Sequence, residues 1–369
     1  MKILILTLEY PPQVGGIASY VYNLAAHLPA AEVIVYAPQL AGSEKFDQSC
    51  PWRVYRARQG WPLWPRWLPE LWQVWRLVRR ERPGQLFVHQ ALPLGYAAWF
   101  IRWWYKLPYT VFLHGTDVGH ASRPGKRWQF RRVIGAAARI VVNSEFLQAK
   151  LASQFDSLPR VVVLHPAPGS HFFSPAPVEE RYLIRSRLGL AGKKVILTVG
   201  RLAEGKGYPQ LLRLLPEIVR QVPSAVLLII GSGPKEETLK GIIQQYEAQN
   251  LVRFLGAVPY ALLPVYYQIA DLFILLTHPD VDTEEGWGTV FLEAAAAGLP
   301  VVAGRAGGVE EAVVDGVTGK IVEVNQPSRI ISAAVELLQN PELARQLGEA
   351  GRARAAQEFR WEETVKKLL

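Results

Sequence analysis

Two glutamates separated by seven residues, Glu285 and Glu293, stand in the segment whose residue types are best suited to chemistry. Gly286 and Gly288 allow a tight turn between them, and the apolar run that follows predicts a helix from about Thr289. Free N–H groups at the start of that helix can hold a diphosphate, helped by the helix dipole. Glu293, one turn into the helix, can accept hydrogen bonds from two ribose hydroxyls, and Glu285 would face a sugar.

The alternative for this segment is a loop acid followed by a solvated acid on a helix surface. The neighbours of Glu293 are apolar or small, namely Phe291, Leu292, Ala294 and Ala295. Such neighbours indicate a buried helix, which favours the ligand-binding interpretation of Glu293.

A pair of cations, Arg201 and Lys206, follows the strand-like run 194–199 in a glycine-rich stretch. The carboxyl ends of parallel strands are where such sheets bind ligands, so we expect this loop to meet a substrate. Two cations there can neutralise a departing diphosphate, and arginine can do so through two parallel hydrogen bonds. The alternative is a solvated loop, which is the usual environment of surface arginine and lysine.

The first half of the chain has its own candidates at predicted strand ends. His114 follows the apolar run 109–113, and without further information a satisfied structural histidine is as good an interpretation as a catalytic one. Asp117 can either cap the following segment or touch an acceptor. Gly15 and Gly16 follow the first strand, where backbone amides can approach a phosphate; a plain turn explains them equally well.

The spacing of apolar runs predicts an α/β protein with two Rossmann-like, doubly wound parallel sheets. Strand-length runs occur at 2–8, 33–37, 85–89, 109–114, 139–143, 160–164, 194–199, 225–230, 252–255, 272–276, 300–303 and 320–322. We predict an N-terminal domain over 1–165, a proline-rich linker over 166–177 and a C-terminal domain over 178–355, with a last helix at about 356–369 packed back on the first domain. Two such domains would offer a ligand the cleft between them.

The net charge of +9 is distributed unevenly. Residues 1–165 carry 20 Lys and Arg against 9 Asp and Glu, whereas the remainder carries 21 against 23. Tryptophans are concentrated in the same basic half, above all in the segment 61–82. In its predicted helix Leu71, Trp72, Trp75 and Val78 share one face and Arg76, Arg79 and Arg80 the other. The segment suits either an anionic membrane surface or ordinary packing on the first domain, and the cluster from Trp99 to Lys106 favours the membrane.

Nearly the whole chain resembles the family-4 retaining glycosyltransferases, which have the GT-B fold. The segment from Glu285 to Glu293 looks like their Glu-x7-Glu motif. Further matching segments occur in the family's order: Pro11-Pro12 with Gly15-Gly16-Ile17, His114-Gly115-Thr116-Asp117, Gly200-Arg201 with Lys206-Gly207, Gly231-Ser232-Gly233-Pro234 and Phe359-Arg360-Trp361-Glu362. The hinge differs, because Ala167-Pro168-Gly169-Ser170-His171 replaces an Asn-Gly-Val-Asp-like stretch.

The resemblance implies a function and a set of roles. The enzyme would transfer a hexose from a GDP- or UDP-sugar, with GDP-mannose weakly favoured, to a hydroxyl of a lipid, lipid-linked or glycan acceptor. His114 and Glu285 would act on the sugar, Arg201 and Lys206 on the diphosphate, and Asp117 on the acceptor. The remaining donor contacts would be Gly15, Gly16, Gly231, Gly233, Val258, Gly286, Trp287, Gly288, Thr289, Val290 and Glu293.

The resemblance also implies that no cofactor and no metal are needed, although Asp280 and Asp282 look like a metal-binding pair. The chain contains a single cysteine, Cys50, no run long enough to span a membrane and no signal peptide, so we expect a cytoplasmic protein, peripheral on the plasma membrane if it binds one. Two rival functions are a nucleotide-sugar epimerase of the same fold and a basic nucleic-acid-binding protein. No nucleic-acid recognition motif occurs, so we expect no nucleic-acid partner.

Overall fold

The computed structural model describes residues 1–57, 68–121, 124–279 and 286–368. They form two compact units, Met1–His165 with Trp361–Leu369, and Pro166–Arg360. Each unit contains a parallel β-sheet covered by helices, so the predicted fold class of two Rossmann-like domains is confirmed.

The sheet of the first unit has the strand order β3-β2-β1-β4-β5-β6-β7, with every pair parallel. Its strands are β1 (Ile3–Leu6), β2 (Val33–Pro38), β3 (Arg53–Ala57), β4 (Gln85–His89), β5 (Tyr109–Leu113), β6 (Arg139–Val142) and β7 (Val161–Val163). Strands β1, β2 and β5 are buried along their whole length, in keeping with sequences that are apolar apart from Thr110 of β5.

The helices of this unit are α1 (Gly16–His27), α2 (Ser43–Asp47), α3 (Leu68–Glu81), α4 (Leu94–Tyr105), α5 (Gly115–Ala121), α6 (Pro124–Gly135), α7 (Glu145–Gln154) and, from the chain end, α16 (Trp361–Lys366). Because crossovers between parallel strands are right-handed, α1 and α2 lie on one face of the sheet and α3, α4, α6 and α7 on the other. Helix α16 packs against α1, and α4 packs against both α3 and α6.

The second unit has the strand order β10-β9-β8-β11-β12-β13, again all parallel. Its strands are β8 (Lys194–Val199), β9 (Ala225–Ile230), β10 (Val252–Gly256), β11 (Leu272–Leu275), β12 (Val301–Gly304) and β13 (Lys320–Val322). Its helices are α8 (Val178–Arg187), α9 (Tyr208–Gln221), α10 (Glu236–Gln245), α11 (Leu263–Ile269), α12 (Thr289–Ala296), α13 (Val309–Ala312), α14 (Pro327–Gln339) and α15 (Pro341–Glu358). Short 3-10 turns occur at Ala30–Glu32, Ser170–Phe173 and Tyr260–Leu262.

Strand β3 has no counterpart among the apolar runs of the sequence. It forms the edge of its sheet and pairs only with β2, so most of its side chains are half-buried or exposed. Its composition, Arg-Val-Tyr-Arg-Ala, reflects that position. An edge strand needs no continuous apolar run, which is why apolar periodicity alone does not reveal it.

The predicted faces of helix α3 are correct for Val78 and the three arginines and wrong for Trp72. Its buried face is made by Val74, Leu77 and Val78, while Trp72 is 46% exposed. The Arg76 guanidinium lies 4.5 Å from the ring centre of Trp72, and Arg79 lies 4.9 Å from that of Trp75. Each pair is four residues apart, so tryptophan and arginine share one side of the helix. The part of the 61–82 segment before Leu68 lies outside the described residues.

Candidate active site

Glycines allow three backbone segments to approach closely at the carboxyl edge of the second sheet. A Cβ atom at Gly231, just after β9, would lie 1.9 Å from the carbonyl oxygen of Gly200, just after β8. A Cβ at Gly233 would lie 2.5 Å from the carbonyl oxygen of Leu202, and one at Gly207 would lie 2.0 Å from that of Leu276. Backbone packing therefore requires Gly231 and Gly233, and it fixes the loop that carries the two candidate cations.

That loop, Gly200 to Gly207, carries both Arg201 and Lys206. The Leu202 N–H donates to the Ser232 carbonyl at 3.0 Å, and the His278 N–H donates to the Gly205 carbonyl at 2.9 Å. Arg201 is exposed and Lys206 half-buried. A rigid backbone thus presents two cationic side chains at the carboxyl edge, as the sequence predicted for a parallel sheet.

Helix α12 begins at the same edge. Gly288 adopts a left-handed conformation, with φ of 81°, immediately before Thr289, and no side chain caps the first turn. The Trp287 side chain is fully buried and packs edge-on against Phe359 at 5.4 Å, so any ligand contact of Trp287 would involve its main chain. Val258, after β10, is also buried. The first turn of α12 has the uncapped N–H groups that an anion requires.

Glu293 is buried on α12, with 4% of its surface exposed. The Tyr267 hydroxyl donates a 2.9 Å hydrogen bond to Glu293 Oε2. Burial raises the pKa of the Glu293 carboxyl to about 7, although hydrogen bonds from Tyr267 and Tyr260 oppose the shift. The alternative of a solvated helix acid is therefore wrong, and a buried carboxylate with two tyrosine partners replaces it.

Neither tyrosine is apparent from sequence reasoning. Tyr267 lies on α11 and Tyr260 in the preceding 3-10 turn, 26 and 33 residues before Glu293. No spacing rule connects them with α12, because only the packing of α11 against α12 brings them together. A carboxylate has about four lone-pair sites, so Glu293 keeps acceptor capacity for a ligand hydroxyl beside its two tyrosine partners.

In the first unit, Gly15 and Gly16 lie at the start of α1. The φ of Gly15 is 168°, an extended conformation that any residue adopts, and a Cβ there would meet only Glu9 Oε2 at 3.6 Å. A Cβ at Gly16 would meet no atom of the described residues within 4 Å. The turn geometry does not require glycine at either position, in contrast to Gly231 and Gly233.

His114 follows β5 and belongs to a buried aromatic cluster. His89, the last residue of the neighbouring strand β4, places its Nδ1 3.4 Å from His114 Nε2, and the two rings stack with centres 5.7 Å apart. Tyr20 of α1 packs edge-on against both rings and against Trp361 of α16. Burial lowers the pKa of His114 to about 4 and that of His89 well below its usual value. Both rings are therefore neutral at pH 7.

Asp117 caps the short helix that follows His114. Its Oδ2 accepts a 2.9 Å hydrogen bond from the His114 N–H, and the Asp117 N–H donates to the His114 carbonyl. Burial raises the pKa of the Asp117 carboxyl to about 7, partly offset by hydrogen bonds from the His114 and Ala91 main chain. The capping contact holds the backbone of His114 in place, whatever Asp117 does for an acceptor.

Comparison with known proteins identifies the family. Residues 14–167 match the model of Glycosyltransferase Family 4, and residues 181–354 match that of Glycosyl transferases group 1. A GDP-mannose-dependent alpha-(1-6)-phosphatidylinositol monomannoside mannosyltransferase of Mycolicibacterium smegmatis is 33% identical, over 97% of this chain and 95% of that protein. The chain belongs to the family-4 glycosyltransferases.

Two further comparisons extend this result. A GDP-mannose-dependent monoacylated alpha-(1-6)-phosphatidylinositol monomannoside mannosyltransferase of Corynebacterium glutamicum is 30% identical to this glycosyltransferase, over 98% of the chain and 95% of that protein. The crystal structure of Anabaena HepE in complex with UDP and glucose shares its fold, with a TM-score of 0.87, 19% identity and coverage of 100% and 98% of the two chains. The predicted GT-B fold is confirmed.

This family-4 glycosyltransferase is accordingly a hexosyltransferase that uses a nucleotide sugar. Neither the epimerase nor the nucleic-acid-binding alternative receives support from the comparisons. Glu285, Asp280 and Asp282 lie outside the described residues. Within residues 1–57, 68–121, 124–279 and 286–368 the structure shows no cluster of three His, Cys, Asp or Glu side chains suited to a metal ion. Nor does any helix of the described segments have the length and apolar character needed to cross a bilayer.

Proposed function

We propose that this glycosyltransferase moves mannose from GDP-mannose to a hydroxyl of a phosphatidylinositol mannoside lipid, without a metal and with retention at the anomeric carbon. The observation that carries the donor and acceptor is the similarity, along nearly the entire chain, to two enzymes named for that donor and that class of lipid. UDP-sugars and glycan acceptors are the competing choices. A cytoplasmic, membrane-peripheral location belongs to the same proposal.

The second unit supplies the donor site in this proposal. The first turn of α12, from Gly288 and Thr289, binds the diphosphate together with Arg201 and Lys206. The Glu293 carboxylate accepts a hydrogen bond from a ribose hydroxyl, while the main chain around Gly286, Trp287 and Val290 borders the sugar phosphate. The loops at Gly231, Gly233 and Val258 lie near the nucleobase.

The first unit supplies contacts to the transferred group. His114 offers a neutral ring to the sugar, and Glu285, from the second half of the chain, is the other residue assigned to that sugar. The start of α1 at Gly15 and Gly16 lets main-chain amides approach the substrate, since these glycines are not needed by the turn itself. Asp117 assists mainly by fixing the His114 backbone.

We propose front-face substitution as the chemical step. The bond between the anomeric carbon and the diphosphate oxygen breaks, and the acceptor oxygen forms its bond to the same carbon on the same face. The acceptor's proton passes to the departing diphosphate oxygen. Arg201, Lys206 and the N–H groups of α12 stabilise the negative charge that develops on the leaving group, so these residues replace a metal ion electrostatically.

A panel of GDP- and UDP-sugars tests the donor assignment. We expect the purified protein to bind GDP-mannose selectively and to release GDP slowly, with release accelerated by vesicles that contain phosphatidylinositol mannosides. Isothermal calorimetry and coupled detection of free nucleoside diphosphate measure the two steps. Conversion of a donor into a different sugar nucleotide would establish the epimerase instead, and selective binding of a UDP-sugar would contradict the GDP-mannose assignment.

Helices α3, α4 and α6, which lie side by side on one face of the first sheet, form the surface that we propose for membrane binding. Their exposed tryptophans are Trp72, Trp103, Trp104 and Trp128, of which Trp103 is 78% exposed. Eight Lys and Arg lie on these helices against two Glu, of which Glu81 is buried and bonded to Tyr55 and Glu70 is half-buried. Arg132 stacks on Trp128 at 4.2 Å. Exposed tryptophan beside arginine suits the headgroup region of an anionic bilayer.

Removing three of these tryptophans tests the surface. We expect the W103A/W104A/W128A variant to bind vesicles of phosphatidylcholine and phosphatidylglycerol about tenfold more weakly than the unaltered protein, because less apolar area enters the interface. Co-sedimentation measures the affinity, and rising salt should weaken both proteins. Tyr182→Ala, at a side chain 75% exposed on α8, is the control and should bind normally. Unchanged vesicle binding by the triple variant would contradict this surface.

A further inference from the structure

The contact between His89 and His114 restricts the proton positions of both rings. Neutral imidazole has one N–H donor and one bare nitrogen, so a 3.4 Å contact between His89 Nδ1 and His114 Nε2 needs one ring to donate and the other to accept. Both rings are neutral because burial disfavours their charged forms. The remaining nitrogen of His89 then decides which ring is the donor.

That remaining nitrogen of His89 is Nε2. His89 is fully buried, and its Nε2 has no hydrogen-bond partner among the described residues. If His114 were the donor, His89 Nε2 would carry a buried N–H without an acceptor. If His89 is the donor, only a bare nitrogen remains there. Buried donors without partners are rarer in proteins than unsatisfied acceptors, so the second arrangement is favoured.

We infer that His89 is a positioning residue, which donates its Nδ1–H to His114 Nε2 and thereby fixes His114 as the tautomer protonated at Nδ1. His114 then has a single nitrogen for a ligand, and that nitrogen is a hydrogen-bond donor. A neutral donor suits a sugar hydroxyl or ring oxygen. The inference deepens the proposed function, on which the sugar contact of His114 rests.

The packing around the pair supports a positioning role. The His89 ring stacks on Phe112 with centres 4.3 Å apart, and the Tyr20 ring packs edge-on against both imidazoles. These contacts leave the two rings little freedom to rotate or flip. The adjacent parallel strands β4 and β5 set the spacing of the pair, because His89 lies opposite Phe112 and His114 follows two residues later.

Nitrogen NMR of the protein labelled with ¹⁵N-histidine tests the tautomer directly. We expect the His114 ring signals at neutral pH to show protonation at Nδ1. These signals are assigned to His114 because they are missing in His114→Gln. In His89→Phe, which keeps an aromatic ring against Phe112 but has no N–H to donate, the bare Nε2 of His114 should lose the hydrogen bond it accepts, and its ¹⁵N signal should move to a higher chemical shift. His89→Asn places an amide N–H near the position of Nδ1 and should restore the original Nε2 signal of His114.

Kinetics provide the second measurement. We expect His89→Phe to lower kcat roughly tenfold, with a much smaller change in the KM for the sugar nucleotide, because one orienting hydrogen bond of His114 is lost. His89→Asn should recover most of the rate. Protonation of His114 at Nε2 in the unaltered protein, or an unchanged His114 Nε2 signal in His89→Phe, would overturn the inference.

The two proposals can fail separately. If the unaltered protein turns over no sugar nucleotide, the proposed function is wrong, while the NMR result still decides how His89 holds His114. If turnover is normal and His89→Phe has the rate and the His114 Nε2 signal of the unaltered protein, the positioning role is wrong and the proposed function stands.

Discussion

Replacing Arg201 with alanine is expected to lower kcat by about 100- to 1000-fold, because one preorganised charge that stabilises the departing diphosphate is removed. The side chain is exposed, and glycine packing holds its loop independently of the guanidinium. The fold should therefore persist, with an unchanged melting temperature. Steady-state release of GDP from GDP-mannose in the presence of lipid acceptor measures the effect.

Two companion variants sharpen this test. Arg201→Lys keeps the charge but loses the two-pronged contact, so we expect a rate between those of the unaltered enzyme and Arg201→Ala. Lys206→Ala, like Arg201→Ala, should lower kcat. Arg345→Ala removes an exposed arginine of α15 that pairs with Glu342 and Glu349, and it should leave kcat unchanged. A fully active Arg201→Ala enzyme would refute the proposed diphosphate contact.

Replacing Glu293 with glutamine is expected to weaken GDP binding roughly 10- to 100-fold, because hydrogen bonds from ribose to a charged acceptor become bonds to a neutral one. Glutamine keeps the size of the side chain and an oxygen that Tyr267 can still reach. Calorimetric titration with GDP at pH 8 measures the change. Glu237→Gln, at an exposed side chain of α10, is the matched control and should bind GDP normally.

The same variant is expected to be more stable than the unaltered protein at pH 8. The Glu293 carboxyl has a pKa of about 7 in the fold, above its value in the unfolded chain, so the folded state binds the proton more tightly. The stabilisation that the protonated Glu293 carboxyl gives the fold is thus complete below the pKa of the unfolded chain. It is lost as the pH rises through the folded-state pKa of about 7. Glutamine avoids that loss, which amounts to about 3 kcal/mol at most.

Melting curves at several pH values measure this gain in stability, which is opposite in direction to the loss of GDP binding. The melting temperature of Glu293→Gln should exceed that of the unaltered protein at pH 8, and the difference should shrink toward pH 5. A lower melting temperature at pH 8 would show that the ionised carboxylate stabilises the fold, contrary to the effect of burial. Weaker ligand binding with greater stability is the pattern expected when a buried charge is kept for function.

The sequence by itself determined the fold class and most of the strands. Central parallel strands are buried on both faces, so each must be a continuous apolar run such as 225–230, and such runs are visible without any structure. The same holds for the start of α12, because Gly288 and the apolar residues after Thr289 mark a local transition. The family was likewise apparent from short motifs in a constant order.

Only the tertiary structure decided which groups surround the candidate residues. His89 and His114 meet because β4 and β5 are neighbours, and Tyr267 reaches Glu293 because α11 packs on α12. These partners lie 25 and 26 residues apart, and no local periodicity encodes such contacts. Trp72 shows the same principle within one helix. From the sequence its side chain could lie either on the apolar face of α3 or beside Arg76, and the packing of α3 places it on the exposed side with the arginine.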